Sequence, residues 1–302
     1  MSNLLVIKKK IQNFKKSIRV SGDKSISIRW VLFSSLSNGI SKAKNLLLSE
    51  DVLAAVQAVN KLGIKSELKN NEFKIYGRGI NGFKYKKNLI INAKNSGTLG
   101  RLMLGLLIDT PYEIKLIGDP SLSKRDFKRI SDPLTKFGAK FKLKNNKNLP
   151  LKICGSSNLN SINYFEKKGS AQCKSAIMFG AMRSKGTTLI KAKKSRNHTE
   201  LLCKYLQLPV DVKNKKNYDE IKIKKVNYIK PLNYNIPSDI SSSAFFIVLT
   251  VLMNNSQLTI RNVNINSSRT GIITILRKMG VKIIFKNKRI YKGEKNAFFS
   301  PL

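Results

Sequence analysis

One pattern recurs along this chain and limits what it can fold into. A helical run ends in an apolar residue and Gly, then Ile, Ala or Val. Two short alternating strands follow about a basic, Asn-bearing turn. The first copy spans residues 54–77, through Leu62-Gly63-Ile64, Lys69-Asn70-Asn71 and Phe73-Lys74-Ile75-Tyr76-Gly77. The second spans 133–155, through Phe137-Gly138-Ala139, Lys144-Asn145-Asn146 and Leu151-Lys152-Ile153-Cys154-Gly155. The last spans 272–293, through Met279-Gly280-Val281, Lys286-Asn287-Lys288 and Arg289-Ile290-Tyr291-Lys292-Gly293. A degenerate copy without its Gly runs through Leu206-Gln207-Leu208 to Ile221-Lys222-Ile223. The glycines suit helix C-caps, where a positive φ costs Gly little. Asn-rich turns between alternating strands read as hairpins.

Gly63, Gly138, Leu206 and Gly280 stand at steps of 75, 68 and 74 residues. That period is too long for most solenoids and suits a globular unit of two helices and several strands. Each unit carries a second helical run earlier on, at 28–36, 98–107, 172–181 and 242–253. The expected fold is therefore α+β, built from repeated units with helices packed against small sheets. The first three units read as whole. The fourth ends its hairpin near Gly293, and the tail from Asn296 to Leu302 shows no clear period. An architecture that pairs such units is left with an unfilled place.

With 302 residues, 41% of them hydrophobic, the chain can bury a sizeable core and form two domains. Its 58 Lys+Arg against 17 Asp+Glu give a net charge of +41. The excess is spread along the whole chain, whereas a nucleic-acid binder concentrates it in a tail or on one face. Three widely spaced cysteines, Cys154, Cys173 and Cys203, form no C-x-x-C and suggest reduced thiols in the cytoplasm. A single His argues against a zinc or haem site, and no metal is expected. No apolar run reaches the length of a membrane span, and residues 1–10 lack the layout of a signal peptide.

The early helix of each unit opens on a similar signal. The first is Gly22-Asp23-Lys24-Ser25-Ile26-Ser27-Ile28-Arg29, between a strand-like run (Ser17-Ile18-Arg19-Val20) and an apolar helical run. A small-residue turn opening a helix offers unpaired N–H groups and the positive end of the dipole to an anion. Lys24 and Arg29 add charge, and Ser25 and Ser27 add hydroxyls. The second signal is Asn92-Ala93-Lys94-Asn95-Ser96-Gly97-Thr98, with Arg101 beyond it. The third is Gly169-Ser170-Ala171-Gln172 with Lys174, and the fourth Pro237-Ser238-Asp239-Ile240-Ser241-Ser242-Ser243. Each by itself reads more readily as a plain N-cap than as a ligand site. Four at matching positions of a repeat point toward one shared cleft. Two further basic stretches are Gly118-Asp119-Pro120-Ser121-Leu122-Ser123-Lys124-Arg125 and Ser195-Arg196-Asn197-His198-Thr199-Glu200, the latter with Ser195 or Thr199 as a cap. Arg suits bidentate phosphate or carboxylate contacts. These residues point to small phosphorylated or carboxylated ligands and do not specify a reaction.

Taken together and in order, these stretches resemble the EPSP synthase (3-phosphoshikimate 1-carboxyvinyltransferase) family. The residues that carry the likeness are Gly22-Asp23-Lys24-Ser25-Ile26-Ser27 with Arg29, Asn95-Ser96-Gly97-Thr98 with Arg101, and Gly118-Asp119 with Ser121-Leu122 and Lys124-Arg125. Ser170-Ala171-Gln172 with Lys174-Ser175-Ala176, then Ser195-Arg196 with His198-Thr199-Glu200, follow in family order. Asp239-Ile240-Ser241-Ser242 after Pro237, and Asn266 with Arg269-Thr270-Gly271, complete the set. The likeness covers the chain to about Gly293. It departs from the family's usual residues at Ser21, Ile28, Gly100 and Asp126.

The resemblance implies an enolpyruvyl transferase fold of two domains, each of three βαβαββ units. Residues 1–21 would give an N-terminal strand to the second domain. Residues 22–237 would form the three-unit domain on the shikimate 3-phosphate side, and 238–302 an incomplete second domain of about one unit. It implies transfer of the enolpyruvyl group of phosphoenolpyruvate to the 5-hydroxyl of shikimate 3-phosphate, with release of phosphate. That is a step of the shikimate pathway toward chorismate and the aromatic amino acids, without cofactor or metal. Lys24, Ser25 and Arg29 would hold shikimate 3-phosphate, together with Ser170, Ala171, Gln172 and Ser195. Lys24, Gly97, Arg125 and Gln172 would bind phosphoenolpyruvate, and Lys24 would be catalytic. The family continues for two more units, which supply an Asp and a Glu for proton transfer, a second Lys and further arginines. A C-terminally truncated member, impaired by itself, with a broken reading frame near Asn296, is the expectation. A cytoplasmic monomer without membrane contact is expected. The alternatives are the sister enzyme acting on UDP-N-acetylglucosamine and a non-enzymatic, basic nucleic-acid-binding protein. The Ser170-Ala171-Gln172 and Ser195-to-Glu200 motifs weigh against the first. The aromatic residues weigh against the second, because they fall on apolar runs such as Phe245-Phe246.

Overall fold

The repeat of sequence is a repeat of structure. The computed structural model describes residues 6 and 10–301, so the reading of residues 1–10 as lacking a signal peptide falls largely outside the described residues. The chain opens with β1 (Lys15–Ile18). A first set follows: α1 (Lys24–Ser35), β2 (Asn38–Lys44), α2 (Glu50–Lys61), β3 (Lys65–Lys69) and β4 (Glu72–Arg78). The second set is β5 (Ile90–Asn92), α3 (Gly97–Leu106), β6 (Ile114–Ile117), α4 (Pro120–Ser123), α5 (Lys128–Thr135), β7 (Lys140–Lys144) and β8 (Asn148–Cys154). The third is β9 (Asn163–Glu166), α6 (Ala171–Ala181), β10 (Thr187–Lys193), α7 (His198–Tyr205), β11 (Val210–Asn214) and β12 (Tyr218–Lys224). After β13 (Tyr234–Asn235) come α8 (Ile240–Leu252), β14 (Gln257–Asn264), α9 (Gly271–Lys278), β15 (Ile283–Tyr291) and β16 (Glu294–Pro301).

Local chemistry sets these boundaries. The Asp23 carboxylate accepts from the Ile26 N–H at 2.9 Å, so α1 starts at Lys24 and includes the basic stretch that precedes the apolar run. Gly63, Gly138 and Gly280 take positive φ just past α2, α5 and α9. Gln207 fills the same place after α7 with φ 58, which explains the repeat without its Gly. Asn70 and Asn71, and Asn145 and Asn146, supply the left-handed pairs that close two hairpins.

Among the described residues the strands form four four-stranded sheets, in the orders β13-β2-β4-β3, β5-β6-β8-β7, β11-β12-β10-β9 and β1-β14-β16-β15. Each has one parallel pair at an edge: β13 with β2, β5 with β6, β9 with β10, and β1 with β14. In the second and third sheets the parallel edge strand opens its own set. In the first it arrives from far downstream as β13, and in the fourth from far upstream as β1.

The fourth hairpin differs from its expected position. Lys286-Asn287-Lys288 is not a turn. β15 runs straight through it, Asn287 taking φ 51 inside the strand, and the chain reverses at Lys292 and Gly293, φ 51 and 88. An Asn in the left-handed region can mark a strand irregularity as well as a turn, and the exposed, lysine-rich β15 hides its period. The tail is likewise not irregular. It forms β16, which buries Ala297 and Phe299 and pairs antiparallel with β14. The opening strand lies at Lys15–Ile18, slightly earlier than expected.

The chain divides into two compact units. The larger comprises Gly22–Ile236 with Lys292–Glu294, and the smaller the chain up to Ser21, Pro237–Tyr291 and the chain from Lys295 on. In the larger unit α1 is buried from Ser25 to Ser35, and α3 and α6 nearly as completely. Phe33 and Phe179 meet with ring centres 5.0 Å apart and planes tilted by 47°, and a Cβ on Gly105 would lie 2.1 Å from the Ala176 carbonyl oxygen. The core of the smaller unit sets Ile240 and Ile247 of α8, and Ile273 and Leu276 of α9, on the inward residues of β14 and β16.

Candidate functional site

The site residues gather at the start of α1, α3, α6 and α7 in the larger unit. At α1, Lys24 sits half-exposed, with Nζ 2.8 Å from Oδ2 of Asp51 in the first turn of α2. Ser25 is buried beneath it. Arg29, one turn further, lies inside. Its Nε donates to Thr199 Oγ1 at 2.8 Å, one terminal nitrogen to the Ser25 carbonyl at 3.1 Å, and the other to Ser175 Oγ at 3.0 Å. Ser175 and Thr199 share a further hydrogen bond of 2.7 Å. Arg29 thereby ties α1 to α6 and α7. Burial pushes its guanidinium down to about 10, while Glu200 and Asp23 oppose that shift.

At α3, Ser96 is the N-cap and accepts from the Leu99 N–H. A Cβ on Gly97 would stand 2.8 Å from one terminal nitrogen of Arg101 and 3.1 Å from one of Arg125. Only glycine lets two guanidiniums lie this close over the helix start. Arg101 donates to Gln172 Oε1 at 2.7 Å, and Gln172 Nε2 donates to Thr98 Oγ1 at 2.9 Å, a clasp joining α3 and α6. Arg101 also covers the Phe127 ring at 5.2 Å. Burial pushes it down to about 10, and Arg129 and Arg125 add repulsion. Arg125 reaches Asn95 Oδ1 at 3.3 Å and Ser121 Oγ at 3.4 Å from beyond the single turn of α4. Asn95 is held in turn by Asp119, which caps α4.

At α6, Ser170 is the N-cap, accepting from the Cys173 N–H at 3.2 Å, and Ala171 and Gln172 follow in the first turn. Within α6 and α7, Lys174 Nζ lies 2.5 Å from Glu200 Oε1, with Lys174 fully buried. His198 Nδ1 is 2.7 Å from Glu294 Oε1, both fully buried. The cap of α7 is Asn197, without a side-chain hydrogen bond. Neither Ser195 nor Thr199 caps it, because Thr199 is turned to Arg29 and Ser175. Ser195 lies in the loop before α7, its Oγ buried and without a hydrogen-bond partner among the described residues. Lys24, Ser25, Gly97, Arg125, Ser170, Ala171 and Gln172 thus lie at or just before helix starts, and Arg29 one turn inside α1, several of them linked by direct bonds. Ser195 is the one that the hydrogen-bond network leaves out.

In the smaller unit the last two motifs meet each other. Asp239 caps α8 through the Ser241 N–H at 2.7 Å, and Arg269 donates to Asp239 Oδ1 at 3.3 Å and Ser241 Oγ at 2.8 Å.

Sequence reasoning missed three acids. Asp51 pairs with Lys24. Glu166 accepts from the Lys168 and Ser170 N–H groups and so shapes the turn into α6. Glu294 meets His198 from the start of β16. The available signal was scarcity. With only 17 acids in the chain, a carboxylate in an otherwise basic stretch has a reason to be there.

The larger unit is thus an assembly of repeated sheet-and-helix units whose helix starts carry guanidiniums, an ammonium and hydroxyls, donors of the kind that suit phosphate and carboxylate. The family model for EPSP synthase (3-phosphoshikimate 1-carboxyvinyltransferase) matches residues 8–298, and the chain belongs to that family. It is 38% identical over 288 residues to the 3-phosphoshikimate 1-carboxyvinyltransferase of Sulfurihydrogenibium sp. (strain YO3AOP1), covering 95% of this chain and 66% of that one. With the enzyme of the same name from Streptococcus agalactiae serotype III (strain NEM316) it shares 40% over 271 residues, 89% of this chain and 62% of that one. The solved structure of EPSP synthase from Acinetobacter baumannii superposes with a TM-score of 0.87 at 34% identity, covering 96% of this chain and 65% of that one. The chain thus spans just under two thirds of the length of these relatives. The family match runs past Gly293 and takes in most of β16.

Proposed function

We propose that this chain serves the transfer of the enolpyruvyl group of phosphoenolpyruvate to the 5-hydroxyl of shikimate 3-phosphate, with release of phosphate. The observation that carries the reading is the Arg101–Gln172–Thr98 clasp beneath Gly97 and Arg125. It joins two separate motifs at two helix N-termini, and Arg125 of a third reaches the first through Asn95, in a family whose named members act on this substrate. In this reading Lys24, Ser25 and Arg29 hold shikimate 3-phosphate, with Ser170, Ala171 and Gln172 along its ring. Ser195 Oγ, buried without a hydrogen-bond partner among the described residues, is offered to the phosphate. Gly97, Arg125 and Gln172 take phosphoenolpyruvate, and Lys24 reaches both anions. Guanidiniums crowded at the start of α3 repel one another, and a bound dianion relieves that repulsion. The same donors stabilise the charge that shifts during addition and elimination. No membrane contact is part of this reading, and among the described residues no helix is long and apolar enough to cross a membrane.

Calorimetric titration of the chain with shikimate 3-phosphate tests the reading. Binding is expected. Lys24→Ala should weaken it about tenfold or more, as loss of a charged hydrogen bond does, while leaving the circular dichroism spectrum unchanged. Absence of binding, or tighter binding of UDP-N-acetylglucosamine, overturns it. So does an RNA complex that survives both Lys24→Ala and Arg125→Ala.

A further inference from the structure

Glu166 ends β9, is 4% exposed, and stands four residues before the cap of α6. Its carboxylate straddles the turn between them. One oxygen accepts from the Lys168 N–H at 3.1 Å and the other from the Ser170 N–H at 2.8 Å. In a capping box, a Glu or Gln at the third helical position bonds back to the N–H of the cap. That position of α6 is Cys173, whose thiol donates to the Arg129 carbonyl instead. Glu166 supplies the missing acceptor from the other side of the cap. At α3 the corresponding N–H, that of Ser96, is held at 2.8 Å by the Ala93 carbonyl, a backbone contact independent of any side chain. At α6 the same task falls to one carboxylate.

The turn also reaches a second part of the site. Gly169 has φ 69, and a Cβ on it would stand 3.3 Å from the Lys194 carbonyl oxygen and 3.8 Å from Lys193 Cβ. Lys193 ends β10, and Lys194 leads into Ser195. The turn of residues 167–170 therefore carries Ser170 at its end and abuts the approach to Ser195. By charge alone Glu166 is out of place. A carboxylate beside a helix start takes up the favourable field that a bound anion would use, and it repels that anion. Its hydrogen bonds, and not its charge, account for its position.

We propose that Glu166 is a positioning residue for the shikimate 3-phosphate end of the site. By fixing the turn of residues 167–170 it sets the Ser170 hydroxyl and the first turn of α6 and, through Lys194, the Ser195 hydroxyl for one anionic ligand. Glu166 acts through these residues and does not touch the ligand. The inference rests on the function proposed above.

Calorimetric titration with shikimate 3-phosphate compares the unaltered chain with Glu166→Ala and Glu166→Gln. Both variants lose the negative charge, but Gln keeps one oxygen that can accept from the turn. Glu166→Ala should weaken binding about tenfold, and Glu166→Gln about threefold or less, as graded loss of these hydrogen bonds requires. Asp211→Ala removes an exposed acid of β11 and should change the affinity by less than about twofold. In the ligand-free chain, amide exchange over residues 168–173 should quicken about tenfold in Glu166→Ala, while residues 174–181 keep their protection. Tighter binding by both variants would mean that Glu166 acts by charge, and equal weakening by both would deny its hydrogen bonds the role. Either result overturns the proposal. So does a lowered urea midpoint with unchanged affinity, or unchanged exchange over residues 168–173. If the unaltered chain binds no shikimate 3-phosphate, the proposed function falls, and the exchange result decides by itself whether Glu166 holds the turn.

Discussion

α6 in the larger unit and α8 in the smaller are the same piece of the repeat, and they sit in opposite surroundings. Both open on a capped, small-residue turn and run on in apolar residues. α6 has α3 and α5 beside it and a sheet beneath it, and from Cys173 on it is closed to solvent. α8 has a sheet beneath it and leaves most of its other sides open. The difference lies in the neighbours and not in the helix. An apolar sequence specifies that a helix will be covered, and tertiary structure decides how many of its sides are.

The comparison breaks most sharply at its aromatic residues. Phe33, fully buried against Phe179, should cost about 3–5 kcal/mol on truncation to Ala. Phe245→Ala should stay within about 0.5 kcal/mol for the chain by itself. Urea unfolding of both variants checks this, and equal losses would mean that α8 is packed as α1 is.

Glycines give the next effect. Gly105→Ala sets a methyl 2.1 Å from a backbone oxygen and should destabilise by about 3 kcal/mol. Gly271 at the start of α9 has nothing within 4 Å of its would-be Cβ, and Gly271→Ala should shift stability by less than about 1 kcal/mol, in the stabilising direction. Thermal melts of the pair measure how much closer the helices of the larger unit lie.

The smallest effect is chemical and sharpens the contrast without perturbing the fold. Burial, with Glu166 adding, pushes the Cys173 thiol of α6 up to about 12, and burial raises Cys203 of α7 well above the ordinary thiol value. Both stay protonated and covered at about pH 8.5, where a free thiol is half ionised. Cys154 is exposed. An alkylating reagent should therefore modify Cys154 quickly and the other two only at the rate of unfolding. In a Phe245→Cys variant, the thiol on α8 should react at the pace of Cys154. Mass spectrometry of timed samples reads all four positions, and fast labelling of Cys173 would show that α6 is no better sealed than α8.

Much of this was legible in the residues. The repeat, the helix ends at Gly63, Gly138 and Gly280, the Asn-closed hairpins and the N-terminal signals of the early helices are local matters. They depend on φ preferences, capping oxygens and apolar periodicity within a few residues. That is why Lys24, Ser25, Gly97 and Gln172 could be placed at helix starts without coordinates. Where a local signal had two meanings, the reading failed. Asn287 has the same left-handed backbone as Asn70, but it lies within β15, and pairing along the sheet outweighed the turn preference.

The rest is decided by contacts between distant parts of the chain. Nothing near Arg29 shows that its guanidinium will be held by Ser175 and Thr199, about 150 and 170 residues away. Nothing near His198 points to Glu294, and no short-range pattern sends β13 back to β2 or β1 forward to β14. Such pairings cost chain entropy that only a completed sheet and a shared core offset. The sequence by itself determined the units, their caps and the cationic residues that each presents. Tertiary structure alone decided which of those residues meet, and that three early helices are enclosed while the fourth lies half bare.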